Sequence, residues 1–600
     1  MDFENQRLAL LYGSQTGNAQ DLTERLYRES KRFYFGSVVK SLDQYNVIDL
    51  VKEQCAIFIC STTGQGEEPD NMKHFWKFLL RKSLPSNSLC SLKFAVLGLG
   101  DSSYPKFNFV AKRLHKRLLQ LGGQSIIPLG LGDDQHDLGY DAVADLWFQQ
   151  LFSQLLQLYP LPNGVSPLPK NLNIKSRWNV FIRDSKNFDD HRNILCKTQS
   201  IYYSTSQSGD FTSKVIANER ITDVAHFQDI RLLKLQSKGK KYCPGDVLVL
   251  RPRNLSWKIK EFKEILSTNN IHISDDTVFQ IIEKSTDIPV PEIFKSEVTF
   301  QQLCEEYFDL FSIPRRSVFK ILAQLTDSEL EKEKCLEFCA AEGQQEMYSY
   351  VHRPRRNIVE ILQDFPHATK NLTPDMLFEI LPPIKAREFS IASSFAIHKN
   401  EIHLLVAVVK YKTKLMKERL GLCSNYLADL KPGDDVTIWI KKGCFKFPQH
   451  LDSPVIMVGP GTGVAPFRNF IFDVLDQITN PCHLMLFYGC RYKDKDFLCR
   501  EEFERLSIQN QLTLICAFSR DQEEKVYVQH KIEQNGVMVW EALQKNARIY
   551  IAGNSKNMPQ GVRESFVKVC QKHGAMSENE ALQFINNMEK KGLYQTECWS

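Results

Sequence analysis

No stretch of this 600-residue chain approaches the ~20 consecutive apolar residues of a membrane span, and the N-terminal residues run into a short apolar strand without a signal-peptide core. The expectation is a cytoplasmic protein with no membrane anchor. Charge of one sign is equally scarce. Lys and Arg number 76 against 71 Asp and Glu, and a net charge of +5 on this length argues against general nucleic-acid binding. Cysteines are not rare, at sixteen, but they are scattered, with no CxxC pair and no regular framework. That fits free buried thiols in a reducing compartment better than disulfides or a zinc site. Internal repeats and low-complexity tracts are absent too. The 43% hydrophobic and 24% charged residues are ordinary for globular domains, of which this length allows about three or four.

Residues 1–158 alternate apolar strand candidates (8–12, 56–60, 94–97 and 125–129) with amphipathic helical patterns at 19–31, 71–82 and 110–121. This alternation implies a doubly wound parallel α/β sheet with its ligands on loops after the strands. A proline-punctuated stretch from 159 reads as a hinge or linker, taken to 205, and 170–210 is the least readable part. The pattern is β over 214–253 and again over 387–447, with about 255–380 mostly helical between. A β-barrel at 206–447 interrupted by a helical insertion is the simplest account. Residues 448–600 return to strand–helix alternation, with strands at 454–458, 482–487, 512–518 and 548–552.

The loop Ser14-Gln15-Thr16-Gly17-Asn18-Ala19 follows a strand directly and opens a helix. Such a turn gathers backbone N–H groups, hydroxyls and the positive end of a helix dipole, which suits a phosphate. It is neither a Walker loop nor a dinucleotide GxGxxG, and without a lysine it suits a single phosphomonoester such as that of FMN. Two further loops after strands share the rim. One is Ser61-Thr62-Thr63-Gly64-Gln65-Gly66; the other runs from Leu99, Gly100, Asp101, Ser102, Ser103 and Tyr104 to Phe107 and Asn108. Tyr104 is placed to stack on a flat ring. On these residues the segment resembles flavodoxin. One departure is Thr63, where many relatives carry an aromatic, so the second ring face is more open or is covered by something else. Glu67, Glu68, Asp70, Asp133, Asp134, Asp137, Asp141 and Asp145 form either a solvated surface or a docking rim beside the same loops.

Arg387-Glu388-Phe389-Ser390 reads as a strand in which Arg387 can pair with a pyrophosphate, Phe389 packs on a ring and Ser390 hydrogen-bonds to it. Gly421-Leu422-Cys423-Ser424 opens a helix and offers N–H groups to the same pyrophosphate. In isolation each is equally an ordinary strand edge or helix cap. The strand and glycine turn at 454–466, with Thr462 inside the turn and a helix beginning near Ala465, is the stronger dinucleotide signal. Ser519, Arg520, Lys525 and Tyr527 then bring a hydroxyl, two cations and a ring after another strand, which suits the 2′-phosphate of NADPH.

The order and wording of these motifs are similar to the diflavin reductases, whose second half is of the ferredoxin-NADP reductase type. The likeness covers nearly the whole chain. It implies an α/β multidomain protein with a flavodoxin-like FMN domain, an FAD-binding β-barrel and a Rossmann-like NADP domain. It implies that Asp134 joins the FMN contacts, that Arg355 and Arg387 hold FAD, and that Val526, Val528 and Gln529 complete the NADPH site. Ser390, Cys490 and Glu597 should line the hydride-transfer point, with Trp599 stacked over the FAD ring and displaced when nicotinamide enters. Glu597 stands where Asp is usual, Phe389 where Tyr is usual, and Asn18 where Thr is usual. Within the family the likeness favours the branch that passes electrons to an iron–sulfur protein of the anamorsin type in cytosolic iron–sulfur cluster assembly. The absence of an anchor, a long central insertion and a haem domain argues against the microsomal, methionine synthase and nitric oxide synthase branches. A reductase of haem proteins or other acceptors, or a non-catalytic partner-binding scaffold, is the alternative.

Overall fold

Burial at nearly every position makes β1 (Arg7–Gly13), β3 (Cys55–Ser61) and β4 (Lys93–Gly100) the interior of a parallel sheet, with β2 (Gly36–Ser41) beside β1. Successive residues face opposite cores, as a period of two demands. Leu8 and Leu10 pack on one side with Ile57, Ile59 and Leu97; Ala9 and Leu11 pack on the other with Phe58 and Val96. The helices α1 (Asn18–Arg32), α2 (Lys73–Leu79), α3 (Phe109–Gln120) and α4 (Asp141–Leu158) cover the sheet. In α1 the buried Ala19, Leu22 and Leu26 make the stripe that seats it. The computed structural model describes residues 7–64, 66–104, 106–162, 164–169, 174–183, 209–284, 290–413, 416–477 and 484–599.

Two sequence expectations need correction here. A strand was expected at 125–129, but β5 is only Gln124–Ser125 and pairing with β4 resumes at β6 (Gly130–Asp133). Pro128 has no N–H to give the ladder, and the Ser125 hydroxyl turns to the Ile127 carbonyl instead. A helix was expected over 71–82, but α2 begins at Lys73. The Asp43 carboxylate accepts from the His74 and Phe75 N–H groups, while the Asn71 side chain is turned to the Ser14 N–H.

Further along, β7 (Trp178–Arg183) falls in the stretch expected to be linker; 170–173 and 184–208 lie outside the described residues. Then come β8 (Phe211–Arg220), β9 (Ile230–Gln236), β10 (Val247–Leu250), β11 (Val278–Glu283) and β12 (Val298–Thr299). The later strands are β13 (Arg387–Ser390), β14 (Glu401–Ala407), β15 (Lys410–Lys412), β16 (Glu418–Leu420), β17 (Asp435–Lys441), β18 (Val455–Pro460), β19 (Leu484–Cys490), β20 (Thr513–Phe518), β21 (Arg548–Asn554) and β22 (Tyr594–Trp599).

The chain divides into two compact units. One, Met1–Thr205 with Asn254–Ile384 and Thr413–Met416, holds the parallel sheet and the helical insertion. The insertion has its own apolar core, and β7, β11 and β12 form a small antiparallel sheet against it. The other unit, Ser206–Arg253 with Lys385–Lys412 and Lys417–Ser600, holds a six-stranded antiparallel sheet in the order β13-β10-β17-β8-β9-β14. Its ends meet where the Ala392 N–H, just past β13, donates to the His403 carbonyl of β14, which closes the barrel. The same unit holds five parallel strands in the order β20-β19-β18-β21-β22. Among the described residues no helix is long and apolar enough to cross a membrane.

Candidate functional site

The turn from β1 into α1 is built to leave donors free. Gly17, the residue before α1, has φ +97°, which glycine adopts without strain, and no side chain caps the helix. The first-turn N–H groups of Asn18, Ala19 and Gln20 therefore have no helical partner, and they point into the loop at the positive end of the dipole. The Gly17 N–H donates to the Ser14 hydroxyl, which closes the turn. Thr16 is exposed beside it. This donor set fits the phosphate of FMN. Gln15 is not directed there: its amide is paired with Asp70 through both the side chain and the Asp70 N–H.

The neighbouring loops have the rim position expected of them, but several of their residues work behind it. The Thr62 hydroxyl accepts from the Val110 N–H and so holds the start of α3, while Thr63 donates to the Glu67 carbonyl across a tight turn. Ser61 donates to the Gly13 carbonyl, and Gly64 lies exposed at φ +45°. Asn108 is fully buried at φ +52°, with its amide donating to the Gly132 carbonyl. It is a brace under Gly98 and Gly100, where an added Cβ would stand within 3.0 Å of it. Asp101 and Asp133 accept from the Ser103 and Ser102 N–H groups and shape the turn before the half-buried Tyr104; Leu99 is buried and Phe107 half-buried.

The acidic set separates into two. Glu67, Asp70, Asp134 and Asp137 are exposed, and Glu68 and Asp133 are half-buried. Asp145 is buried among Arg25, Arg316 and Gln344, and Asp141 pairs with Arg25, so these two are internal anchors rather than rim.

In the barrel, Arg387 is exposed on β13 and its Nη1 donates to the neighbouring carbonyls of Lys385 and Ala386. Glu388 is engaged by Lys441 at 2.6 Å, and Phe389 is half-buried against the barrel core. Gly421 precedes the helix Leu422–Asp429, which has no side-chain cap. An added Cβ there would lie 2.9 Å from Val409. The Ser424 hydroxyl is held by the Val409 N–H and the Gly421 carbonyl, and burial pushes the Cys423 thiol up to about 12. What this turn presents is the backbone N–H groups of Leu422 and Cys423, a donor set that fits a pyrophosphate with Arg387 beside it. Arg355 belongs to the other unit, at φ +54° and within electrostatic reach of Asp134.

The five-stranded sheet aligns the ends of its strands. Strand β18 passes through Gly459 and Pro460 into a 3-10 turn, Gly461–Val464, and then the helix Ala465–Gln477. A Cβ on Gly463 would stand 2.2 Å from the Ala552 carbonyl oxygen, so the turn packs as tightly as a dinucleotide cradle requires. Thr462 lies half-buried on it. The Ser519 and Arg520 N–H groups donate to the Cys490 and Arg491 carbonyls, which brings Ser519 and Arg520 alongside Cys490. Arg520 and Lys525 are exposed, and among the described residues neither forms an ion pair. Tyr527 is exposed, Val526 and Gln529 are half-buried, and Val528 packs under Gly489.

At the same strand ends, the Ser390 hydroxyl donates to Glu597 Oε1 at 3.1 Å. Burial, reinforced by Asp496, raises the Cys490 thiol well above its ordinary value, and the thiol donates to the Tyr492 carbonyl. Asp496 also receives the Arg491 and Tyr492 N–H groups and so fixes the turn after β19, a role the sequence reading missed. Trp599 is not a frayed end. On β22 it pairs with Asn554 of β21, its carbonyl accepts from the Ser555 N–H, and the residue is 36% exposed.

Three family models match in order: flavodoxin over residues 10–147, an FAD binding domain over 203–426, and an oxidoreductase NAD-binding domain over 457–564. Curated proteins are similar over the full length. Each is named NADPH-dependent diflavin oxidoreductase 1. That of Danio rerio is 46% identical, covering 98% of this chain and 99% of its own. That of Xenopus laevis is 44% identical, covering 99% and 100%, and that of Arabidopsis thaliana is 36% identical, covering 100% of both.

Proposed function

Because the chain belongs to the NADPH-dependent diflavin oxidoreductases, we propose that its electrons pass from NADPH to an iron–sulfur protein of the anamorsin type in cytosolic iron–sulfur cluster assembly. The enzyme uses FAD, FMN and NADPH. When bound, the flavins supply the redox chemistry, FAD accepting a hydride from NADPH and FMN releasing electrons singly to the acceptor. In this reading residues 1–158 form the FMN module, 206–447 without the insertion of about 255–380 the FAD module, and 448–600 the NADPH module.

The chain's own part is binding and orientation. The loop 14–19 holds a phosphate with free N–H groups, and Tyr104 offers a ring for stacking. Arg387 and the turn at 421–424 hold a pyrophosphate. The turn around Thr462 takes the nucleotide pyrophosphate, and Ser519, Arg520, Lys525 and Tyr527 select the 2′-phosphate. Ser390, Cys490 and Glu597 place the nicotinamide, and Trp599 covers the flavin until it arrives. For the acceptor, the supporting observation is the set of exposed carboxylates Glu67, Asp70, Asp134 and Asp137 beside the FMN loops, which suits steering toward a basic patch.

The test is anaerobic, NADPH-driven reduction of a purified anamorsin-type protein, with ferric cytochrome c as control. Faster reduction of the cluster protein is the expected result. Reduction of cytochrome c alone would leave the diflavin activity standing and remove this acceptor.

A further inference from the structure

A cation stands where a helix dipole disfavours one. The N-terminus of α1 is the positive pole of a 15-residue helix, with no side-chain cap and no helical partner for its first N–H groups. Against it lies the guanidinium of Arg315, which belongs not to this module but to the helical insertion, just before the helix Arg316–Leu325. Arg315 Nη2 is 3.4 Å from the Thr16 carbonyl oxygen and 3.3 Å from Asn18 Oδ1, and a Cβ on Gly17 would stand 2.9 Å from it. Both acceptors are neutral and both contacts are long for a charged donor. Among the described residues Arg315 forms no ion pair.

The arginine is held there by its neighbours. Arg316, next in sequence, is buried and pairs with Asp145 at 2.7 Å, where Arg25 and Gln344 converge on the same carboxylate. Ser317 donates to Asp21 of α1 at 2.9 Å. With 316 and 317 both fixed on the parallel-sheet module, 315 has little freedom to leave the loop. A fixed guanidinium facing a helix N-terminus whose first-turn carboxylate, Asp21, is engaged by Ser317 is a mismatch that an anion between them relieves. A phosphomonoester dianion removes it, accepting from the helix N–H groups on one side and from the guanidinium fork on the other.

We propose that Arg315, supplied by the helical insertion, completes the phosphate cradle of the flavodoxin-like module. The insertion is then part of the FMN site, and its packing on the module and FMN binding reinforce each other. This rests on the reading of loop 14–19 as the FMN phosphate site.

The full chain, stripped of FMN, is titrated with FMN and with riboflavin, which lacks the phosphate, and flavin fluorescence reports binding. Retained FAD serves as the check that each variant is folded. The wild type is expected to prefer FMN strongly. In Arg315→Ala the FMN dissociation constant should rise about tenfold or more, the size of a lost charged hydrogen bond, while riboflavin binding stays within about twofold, below the effect of a typical hydrogen bond. Arg315→Lys should recover part of the loss. If the wild type prefers FMN but Arg315→Ala leaves the FMN-to-riboflavin ratio unchanged, the role of Arg315 is overturned and the loop reading stands. If the wild type shows no preference for the phosphorylated flavin, the loop reading fails and the inference with it.

Discussion

The Ser390 hydroxyl, on the barrel strand β13, donates to the Glu597 carboxylate, on the edge strand β22 of the parallel sheet, across 3.1 Å. The bond aligns a hydroxyl and a carboxylate at the ends of two different sheets within one compact unit. If they position the nicotinamide as a pair, Ser390→Ala and Glu597→Gln should each slow flavin reduction by NADPH about tenfold or more, as loss of a charged hydrogen bond predicts. The double variant should be little worse than the slower single one. Stopped-flow flavin bleaching measures this, and additive losses would mean the two act separately.

Cys490 sits in a different protonation regime from a reactive cysteine. Burial and Asp496 keep the thiol protonated across the working pH range. Cys490→Ala should slow reduction by NADPH, leave flavin content intact, and leave the shape of the pH–rate profile between about pH 6 and 9 as it was. Unchanged reduction rates would remove Cys490 from the mechanism.

Arg520 and Lys525 are exposed cations beside the end of β20. Replacing either with alanine should raise the KM for NADPH about tenfold and leave that for NADH nearly unchanged, since only NADPH carries the phosphate they would contact. Steady-state kinetics with both nucleotides decides. Equal weakening for both would place the two residues elsewhere on the nucleotide.

Trp599 is pinned by its backbone while the residue as a whole is 36% exposed. Trp599→Ala should therefore leave β22 paired and act on the ring alone. Without a ring competing with nicotinamide, NADH use should rise relative to NADPH. An unaltered preference in kcat/KM would argue against stacking.

His403 predicts a pH dependence of stability. Its Nε2 meets Glu401 at 2.6 Å and its Nδ1 meets Arg468 Nη1 at 3.3 Å, with the His398 ring packed beside it. Those partners assign the neutral tautomer with its proton on Nε2. Burial, then Arg468 and His398, push its pKa down to about 2. In the unfolded chain the imidazole takes up a proton near pH 6.5. The stabilisation is complete above that value and is lost as pH falls below it, at about 1.4 kcal/mol per pH unit. Urea midpoints at pH 7.5 and 5.5 should therefore differ more in the wild type than in His403→Gln; equal slopes would exclude His403 as the source.

What the sequence disclosed well were features that one segment carries alone. The buried runs of β1, β3 and β4, the uncapped turn at Gly17 and the turn after β18 are each local, and each lies where it was read. The break between β5 and β6 was also local, written in Pro128, and was overlooked. The rest was non-local. Strand β7 pairs with β11 about a hundred residues later, and neither signals the other. Strand β22, with half-buried Gln595, Thr596 and Glu597, lacks the apolar run of an inner strand. Gln15 looked like a phosphate ligand until Asp70 was found beside it, and the burial of Asp145 depends on Arg316, far along the chain. Arg315 carries no local mark at all.

The barrel is written in two instalments. Strands β8, β9 and β10 precede the insertion, whereas their partners β13, β14 and β17 follow it. During synthesis the first three strands must wait, with open edges, until the whole stretch Asn254–Ile384 has emerged. That stretch has its own core and can mature in the interval. A chain stalled or cleaved within it would carry a half-sheet in search of a partner, and another copy in the same state could supply one.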